Sequence, residues 1–205
     1  MLKDHEPQNV GEVIWPDQLA GDAVIKQIEA GELRDNLLLY GPPGTGKTTT
    51  AEIIKTQLAV DPLNTHHYNG GRHNSTDDLD QIITTLENNW VFASSGYQGR
   101  LVIYDEIDEL SDKAIKRLKS VLDQFESSTR WVFTTNNYEK LENKDPAFVD
   151  RCRSIRMDFW LSEPARDRFV SHLVDQLGVP STTAKAVALK CNYNWRQLHK
   201  SGVIK

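Results

Sequence analysis

Cysteine is scarce. Only Cys152 and Cys191 occur in 205 residues, far apart and in no C-x-x-C pair. That leaves no disulfide framework and no cysteine zinc site, and a reducing cytoplasm is the expected compartment. Long apolar runs are missing too. The longest purely aliphatic one is Leu37-Leu38-Leu39, far short of the ~20 residues of a membrane helix, so no membrane partner is expected. Residues 1–6 are charged and lack an apolar core, so they do not read as a signal peptide. Positive charge is in deficit: 24 Lys and Arg stand against 29 Asp and Glu, a net charge of −5. Such a chain does not hold nucleic acid by bulk charge; contact with DNA would need a local basic patch acting against the overall field. Internal repeats and low-complexity tracts are absent as well.

What remains is an ordinary globular composition, with 39% hydrophobic and 26% charged residues. At ~150 residues per domain, the length fits one domain plus a small appendage. Residues 1–16 read as an extended arm. Ala23, Val24, Ile25 and Ile28 give 22–30 a helical spacing, stopped by Gly31. Apolar or β-prone runs at 36–40, 65–69, 100–106, 130–136 and 154–159 read as strands. Helices are expected over 47–58, 75–89 (with Ser75 as cap) and 111–125. The near-continuous apolar run in 100–106 marks a parallel strand covered on both faces. Strands alternating with helices predict an open α/β sheet. From residue 160 onward only helical stretches follow, over 162–177, 182–190 and 195–200. They form an appendage too small for an independent core. The stretch 93–99 reads as a surface loop.

The stretch "GPPGTGKT" (41–48) fits G-x-x-x-x-G-K-[ST]. Its glycines let backbone amides turn toward an anion, and the following helix presents its positive end. Lys47 reaches the β- and γ-phosphates, and the Thr48 hydroxyl takes a Mg²⁺ position. A strand before and a helix after are the context this loop requires. Asp105 and Glu106 end a strand at the edge where open α/β sheets bind ligands. Asp105 suits a Mg²⁺ shell and Glu106 suits polarising an attacking water; the other reading is an acidic strand end, continued by Asp108 and Glu109. Asn136 closes another strand, either to orient that water or to form a turn. His66, His67 and His73 lie near one another, but a strand puts His66 and His67 on opposite faces, so a metal cluster there is not expected.

With these residues together the chain resembles the AAA+ ATPases. Within them it is most similar to small subunits of sliding-clamp loaders, those of T-even-type phages in particular. "GPPGTGKT" and "LVIYDEID" match the Walker A and Walker B motifs, the latter with Ile107 where many loaders have Ala. "FTTNN" matches sensor 1 and points to Asn136. "DRCRS" resembles the Ser-Arg-Cys signature, with Asp150 in place of Ser. "NWRQL" resembles sensor 2 and points to Arg196.

The resemblance, which spans residues 10–198, implies a P-loop AAA+ fold: a five-stranded parallel sheet in order 5-1-4-3-2 with a small C-terminal helical lid. The nucleotide-binding domain would be 1–159 and the lid 160–205. ATP with Mg²⁺ would lie between them. Gly41, Pro42, Pro43, Gly44, Thr45, Gly46, Lys47, Thr48 and Thr49 would cradle phosphate, with Asn136 and Arg196 at the γ-phosphate. The base would rest on the arm at Val13, Ile14 and Trp15, residues that serve equally as anchors in a groove. Arg151 would be an arginine finger for a neighbouring subunit, aimed outward by a short helix that Asp145 caps and Pro146 opens; otherwise it forms a salt bridge to Asp150 or Asp158. Lys113, Lys116 and Arg117 share a face of the 111–125 helix and would track the DNA backbone, or else form a solvated face. The resemblance also implies a helical collar domain, and the chain stops at Lys205 soon after the lid; either the sequence is cut short of its collar, or the collar is missing and assembly depends on ATPase-module contacts and partners.

The function implied is an ATPase subunit that works in a ring of AAA+ subunits, with a sliding clamp and primer–template DNA as partners. Two alternatives stand beside it. One is another AAA+ remodeller on DNA, a helicase loader or branch-migration motor. The other is an ATP-gated subunit that lends its arginine and turns over little ATP.

Overall fold

The computed structural model describes residues 7–88 and 97–202. Residues 1–6, and the part of the expected 93–99 loop up to residue 96, lie outside them. Asp17 caps helix α1 (Gln18–Glu29), accepting from the Ala20 amide at 3.0 Å. Then come β1 (Leu37–Tyr40), α2 (Lys47–Gln57), β2 (Thr65–Asn69), α3 (Thr76–Asn88), β3 (Arg100–Asp105), α4 (Asp112–Gln124) and β4 (Thr129–Thr135). Helices α5 (Tyr138–Lys144) and α6 (Pro146–Val149) lead to β5 (Arg153–Arg156). Helices α7 (Glu163–Asp175), α8 (Ser181–Lys190) and α9 (Trp195–Lys200) complete the described chain.

Among the described residues the five strands form one sheet, every pair parallel, in the order β2-β3-β4-β1-β5. Read from its other edge, this is the expected 5-1-4-3-2. Alternation along each strand divides the core. Leu38, Val102, Tyr104, Trp131 and Phe133 face α3, α4 and the α5–α6 segment. Leu37, Leu39, Leu101, Ile103, Val132 and Ile155 face α1, α2 and the arm. Strand β3 is buried at all six positions, which is why it carries no polar alternation. Helices α7–α9 enclose a third cluster, with Phe159, Phe169 and Leu173 beside Tyr193 and Leu198. No helix among the described residues is long and apolar enough to cross a membrane.

Local chemistry sets the boundaries. Ser75 Oγ accepts from the Asp78 amide at 3.1 Å while Asp78 accepts from the Ser75 amide at 3.0 Å, a reciprocal cap that starts α3 where expected. Ser111 caps α4 through the Ala114 amide. Three expectations need correction. The arm is not extended: Asn9 to Glu12 makes a turn, Val10 is buried, and Trp15 donates to the Val10 carbonyl at 3.1 Å. The Trp15 ring occupies the space of a missing side chain at Gly21, where a Cβ would stand 2.3 Å from it. Helix α1 begins at Gln18 rather than 22, because the Asp17 cap, not the first apolar residue, sets its start. Helix α5 was not foreseen; it is polar, buries only Leu141, and is started by Asn137.

Candidate active site

Strand β1 ends at Tyr40 and the chain turns at once into the glycine-rich loop. At Gly44, φ is +82°, and a Cβ there would meet Asn194 Oδ1 at 2.4 Å and Arg196 Cβ at 2.9 Å, so glycine lets α9 sit on the loop. Gly46 takes the cap position of α2 with no side chain to satisfy the first amides. Those donors face a cavity of about 500 Å³ together with the positive end of the helix, a suitable place for an anion.

The cavity brings together most of the expected residues. Pro43, Gly44, Thr45, Gly46, Lys47, Thr48 and Thr49 line it, with Glu106 and Asn136 on the sheet side and Arg196 from α9. Val13 and Ile14 also line it, while Trp15 turns into the core. Gly41 and Pro42 stand behind, and their carbonyls each accept from Lys47 Nζ at 2.8 Å. Lys47 is 6% exposed. Burial, aided by the charge of Arg196, brings its ammonium down to about 8.

Asp105 lies behind Thr48. Its Oδ1 accepts from Thr48 Oγ1 at 3.1 Å and Thr134 Oγ1 at 2.8 Å, and its Oδ2 meets His67 Nε2 at 2.8 Å. A hydroxyl and a carboxylate at this spacing are hard oxygen donors of the kind Mg²⁺ takes. Glu106 has φ +55°, a left-handed conformation that costs a non-glycine residue energy. Its amide donates to Thr134 Oγ1 at 3.2 Å, and its carboxylate accepts from Asn69 Nδ2 at 3.0 Å. The lid closes the other side: the Trp195 amide donates to the Gly44 carbonyl at 3.0 Å, and Asn194 Nδ2 to that of Pro43.

Arg151 is not in this cavity. Arg153, two residues on, is in register with Leu37 at the start of β1, whereas the loop follows Tyr40 at its end. Arg151 therefore stands at the opposite edge of the sheet. Nor does it project freely. Its Nε and Nη2 donate to Asp123 at 2.7 and 2.9 Å, and its Nη1 to the Ala147 carbonyl at 2.7 Å. The acceptor is thus neither Asp150 nor Asp158, because α6 lays Arg151 along the last turn of α4. Arg153 pairs with Asp35, and Arg156 with Asp158. Lys113 and Lys116 lie exposed on α4. Arg117 is less free than expected, since its guanidinium donates to Asp80 at 3.1 and 3.2 Å.

Residues 37–158, more than half of the chain, match the model of the ATPase family associated with various cellular activities (AAA). The chain belongs to the AAA family. Among curated AAA relatives, replication factor C subunit 3 of Blastobotrys adeninivorans is 33% identical over 171 residues, 80% of this chain and 48% of the relative. Replication factor C subunit 3 of Saccharomyces cerevisiae is 26% identical over 200 residues, 96% of this chain and 57% of the relative. The chain spans about half the length of the curated relatives it matches. Among solved structures, the RuvB Holliday junction branch migration motor of Thermotoga maritima superposes with a TM-score of 0.70 at 22% identity, covering 96% of this chain and 63% of that one. That likeness is one of fold.

Four side chains of this AAA site escaped the sequence reading: Asn69 on Glu106, His67 and Thr134 on Asp105, and Asn194 on the loop. Their partners depend on the register of β2 and β4 against β3 and on the seat of the lid, and neither is written in local pattern. A signal for Asn69 was available. The Gly70-Gly71 pair after a strand marks close backbone approach, and a Cβ on Gly70 would meet the Glu106 carbonyl oxygen at 2.2 Å.

Proposed function

We propose that this AAA chain is an ATPase subunit of a sliding-clamp loader. It binds ATP with Mg²⁺ in the loop cavity, joins neighbouring AAA subunits in a cytoplasmic ring, and opens and places a sliding clamp on primed DNA. Residues 1–159 act as the nucleotide-binding unit and 160–205 as its lid. The loop amides and Lys47 hold the phosphates, and Thr48 and Asp105 hold the cation. Mg²⁺, when bound there, would neutralise charge on the phosphates. Glu106 polarises the attacking water once Asn69 releases its carboxylate, Asn136 and Arg196 meet the γ-phosphate, and Val13 and Ile14 form the wall for the base. Lys113, Lys116 and Arg117 follow the DNA backbone.

One observation carries the ring: Arg151, in the segment resembling the loader signature, stands at the sheet edge opposite its own nucleotide cavity. The length of the four-residue strand β1 alone puts about 10 Å between the two ends. An arginine there serves a neighbour's phosphates and not its own. The replication factor C relatives support the loader reading.

The test has two parts. Lys47→Ala abolishes ATP binding measured by calorimetry; unchanged affinity sinks the site assignment. ATPase of the intact chain, assembled with its neighbouring subunits, is then stimulated by a sliding clamp with primer–template DNA. Stimulation by a helicase or a four-way junction instead makes the chain another kind of remodeller.

A further inference from the structure

His67 lies on β2 with its ring between two carboxylates. Nε2 is 2.8 Å from Asp105 Oδ2, and Nδ1 is 3.0 Å from Glu52 Oε1. Glu52 belongs to α2, one turn beyond Thr48, and is itself paired with Lys55. The helix that presents the Thr48 hydroxyl therefore also carries the group that steadies the His67 ring. His67 is not a packing residue of the core clusters: its side chain is 40% exposed and belongs to none of them.

An ionised carboxylate only accepts, and it has about four lone-pair positions. At Asp105, Thr48 and Thr134 take two on Oδ1, and His67 takes one on Oδ2. The position left among the described contacts is on Oδ2, and its direction is fixed by rotation of the carboxylate plane. Thr48 and Thr134 share one oxygen and pin one end of that plane; His67 pins the other. We propose that His67 is a positioning residue for the divalent cation, fixing the rotation of the Asp105 carboxylate, and with it the position left open, by hydrogen-bonding Oδ2. Partners of metal-binding groups act in this way, and their loss costs about 10–100-fold in metal affinity. The proposal rests on the cation reading of Thr48 and Asp105.

The experiment measures Mn²⁺ bound to the ADP complex of the full chain, with electron paramagnetic resonance counting free Mn²⁺, and ADP affinity in EDTA alongside. His67→Ala raises the Mn²⁺ needed for half-saturation roughly tenfold and leaves ADP affinity in EDTA and the melting temperature unchanged. His67→Gln, which restores an N–H donor at similar reach, recovers part of the loss. Wild-type Mn²⁺ affinity in His67→Ala, an equal fall in metal-free ADP affinity, or no recovery in His67→Gln overturns the positioning role. Asp105→Asn separates the two levels: if it keeps wild-type Mn²⁺ affinity, the cation reading itself is wrong and the role of His67 goes with it.

Discussion

Lys47 is buried against its own loop, with its ammonium held by the Gly41 and Pro42 carbonyls and depressed to about 8. Its folded value lies below the unfolded 10.5, so the folded chain binds fewer protons between about 8 and 10.5. Across that window stability rises with pH while the attraction for phosphate falls. A bound phosphate favours the charged form and draws the proton back. ADP binding therefore takes up close to one proton at pH about 9 and almost none at pH about 7. Calorimetry in buffers of different ionisation enthalpy reads this directly; no buffer dependence at the higher pH would place the phosphates away from Lys47. Cys152 behaves in the opposite sense: burial pushes its thiol up to about 12, so it stays protonated and unreactive at neutral pH. Lys47 and Thr48 were legible because their motif is contiguous. Asn69 and His67 were not, because their partners lie 37 and 38 residues away, across a strand pairing that no local pattern encodes.

Among the elements, α4 and α6 form a pair whose joint is Asp145. This residue is 6% exposed. Its Oδ1 accepts from the Phe148 amide at 3.1 Å, capping α6, and its Oδ2 takes the Lys119 ammonium at 2.9 Å. Asp145→Ala removes a cap and strands a lysine. It lowers stability by about 2 kcal/mol, or roughly 5 °C in melting temperature, without changing ATP affinity. Scanning calorimetry with an ATP titration checks both halves; a parallel loss of ATP affinity would mean that α6 supports the nucleotide cavity as well. The cap of α6 was readable from Asp-Pro alone, as was that of α3 from Ser75. Helix α5 was not, since one buried leucine in seven residues leaves no periodicity to detect. The arm misled for a related reason: Val10 and Trp15 are too few to reveal a turn, and the seat of the Trp15 ring depends on α1 having glycine at position 21. The parallel sheet came through because strands and helices alternate at full length, and the helical end because that alternation stops after Phe159; the sheet order came with the resemblance to AAA+ ATPases, and the seat of the lid on the loop rests on two hydrogen bonds from Asn194 and Trp195.

At the scale of the molecule, the cavity and Arg151 lie at opposite ends of the strands of one sheet, so in the proposed ring each copy would be half of two sites. Arg151→Ala leaves ATP affinity at its wild-type value and removes nearly all partner-stimulated turnover, about 10³-fold or more. Calorimetry of the lone chain and steady-state ATPase of the assembly measure the two, and a loss of binding in the lone chain contradicts the reading. In the lone chain this arginine is already engaged by Asp123, whose carboxyl its hydrogen bond holds below the usual carboxylate range. That pair is exposed, so it restrains Arg151 weakly and salt dissolves it. The phosphate contact it would trade for is electrostatic too, and the same ions screen that contact. Added salt therefore loosens the arginine from both partners, and the contact with a multiply charged phosphate loses more by it than the exposed pair with Asp123 does, so a ring that depends on this arginine would weaken steadily as ionic strength rises.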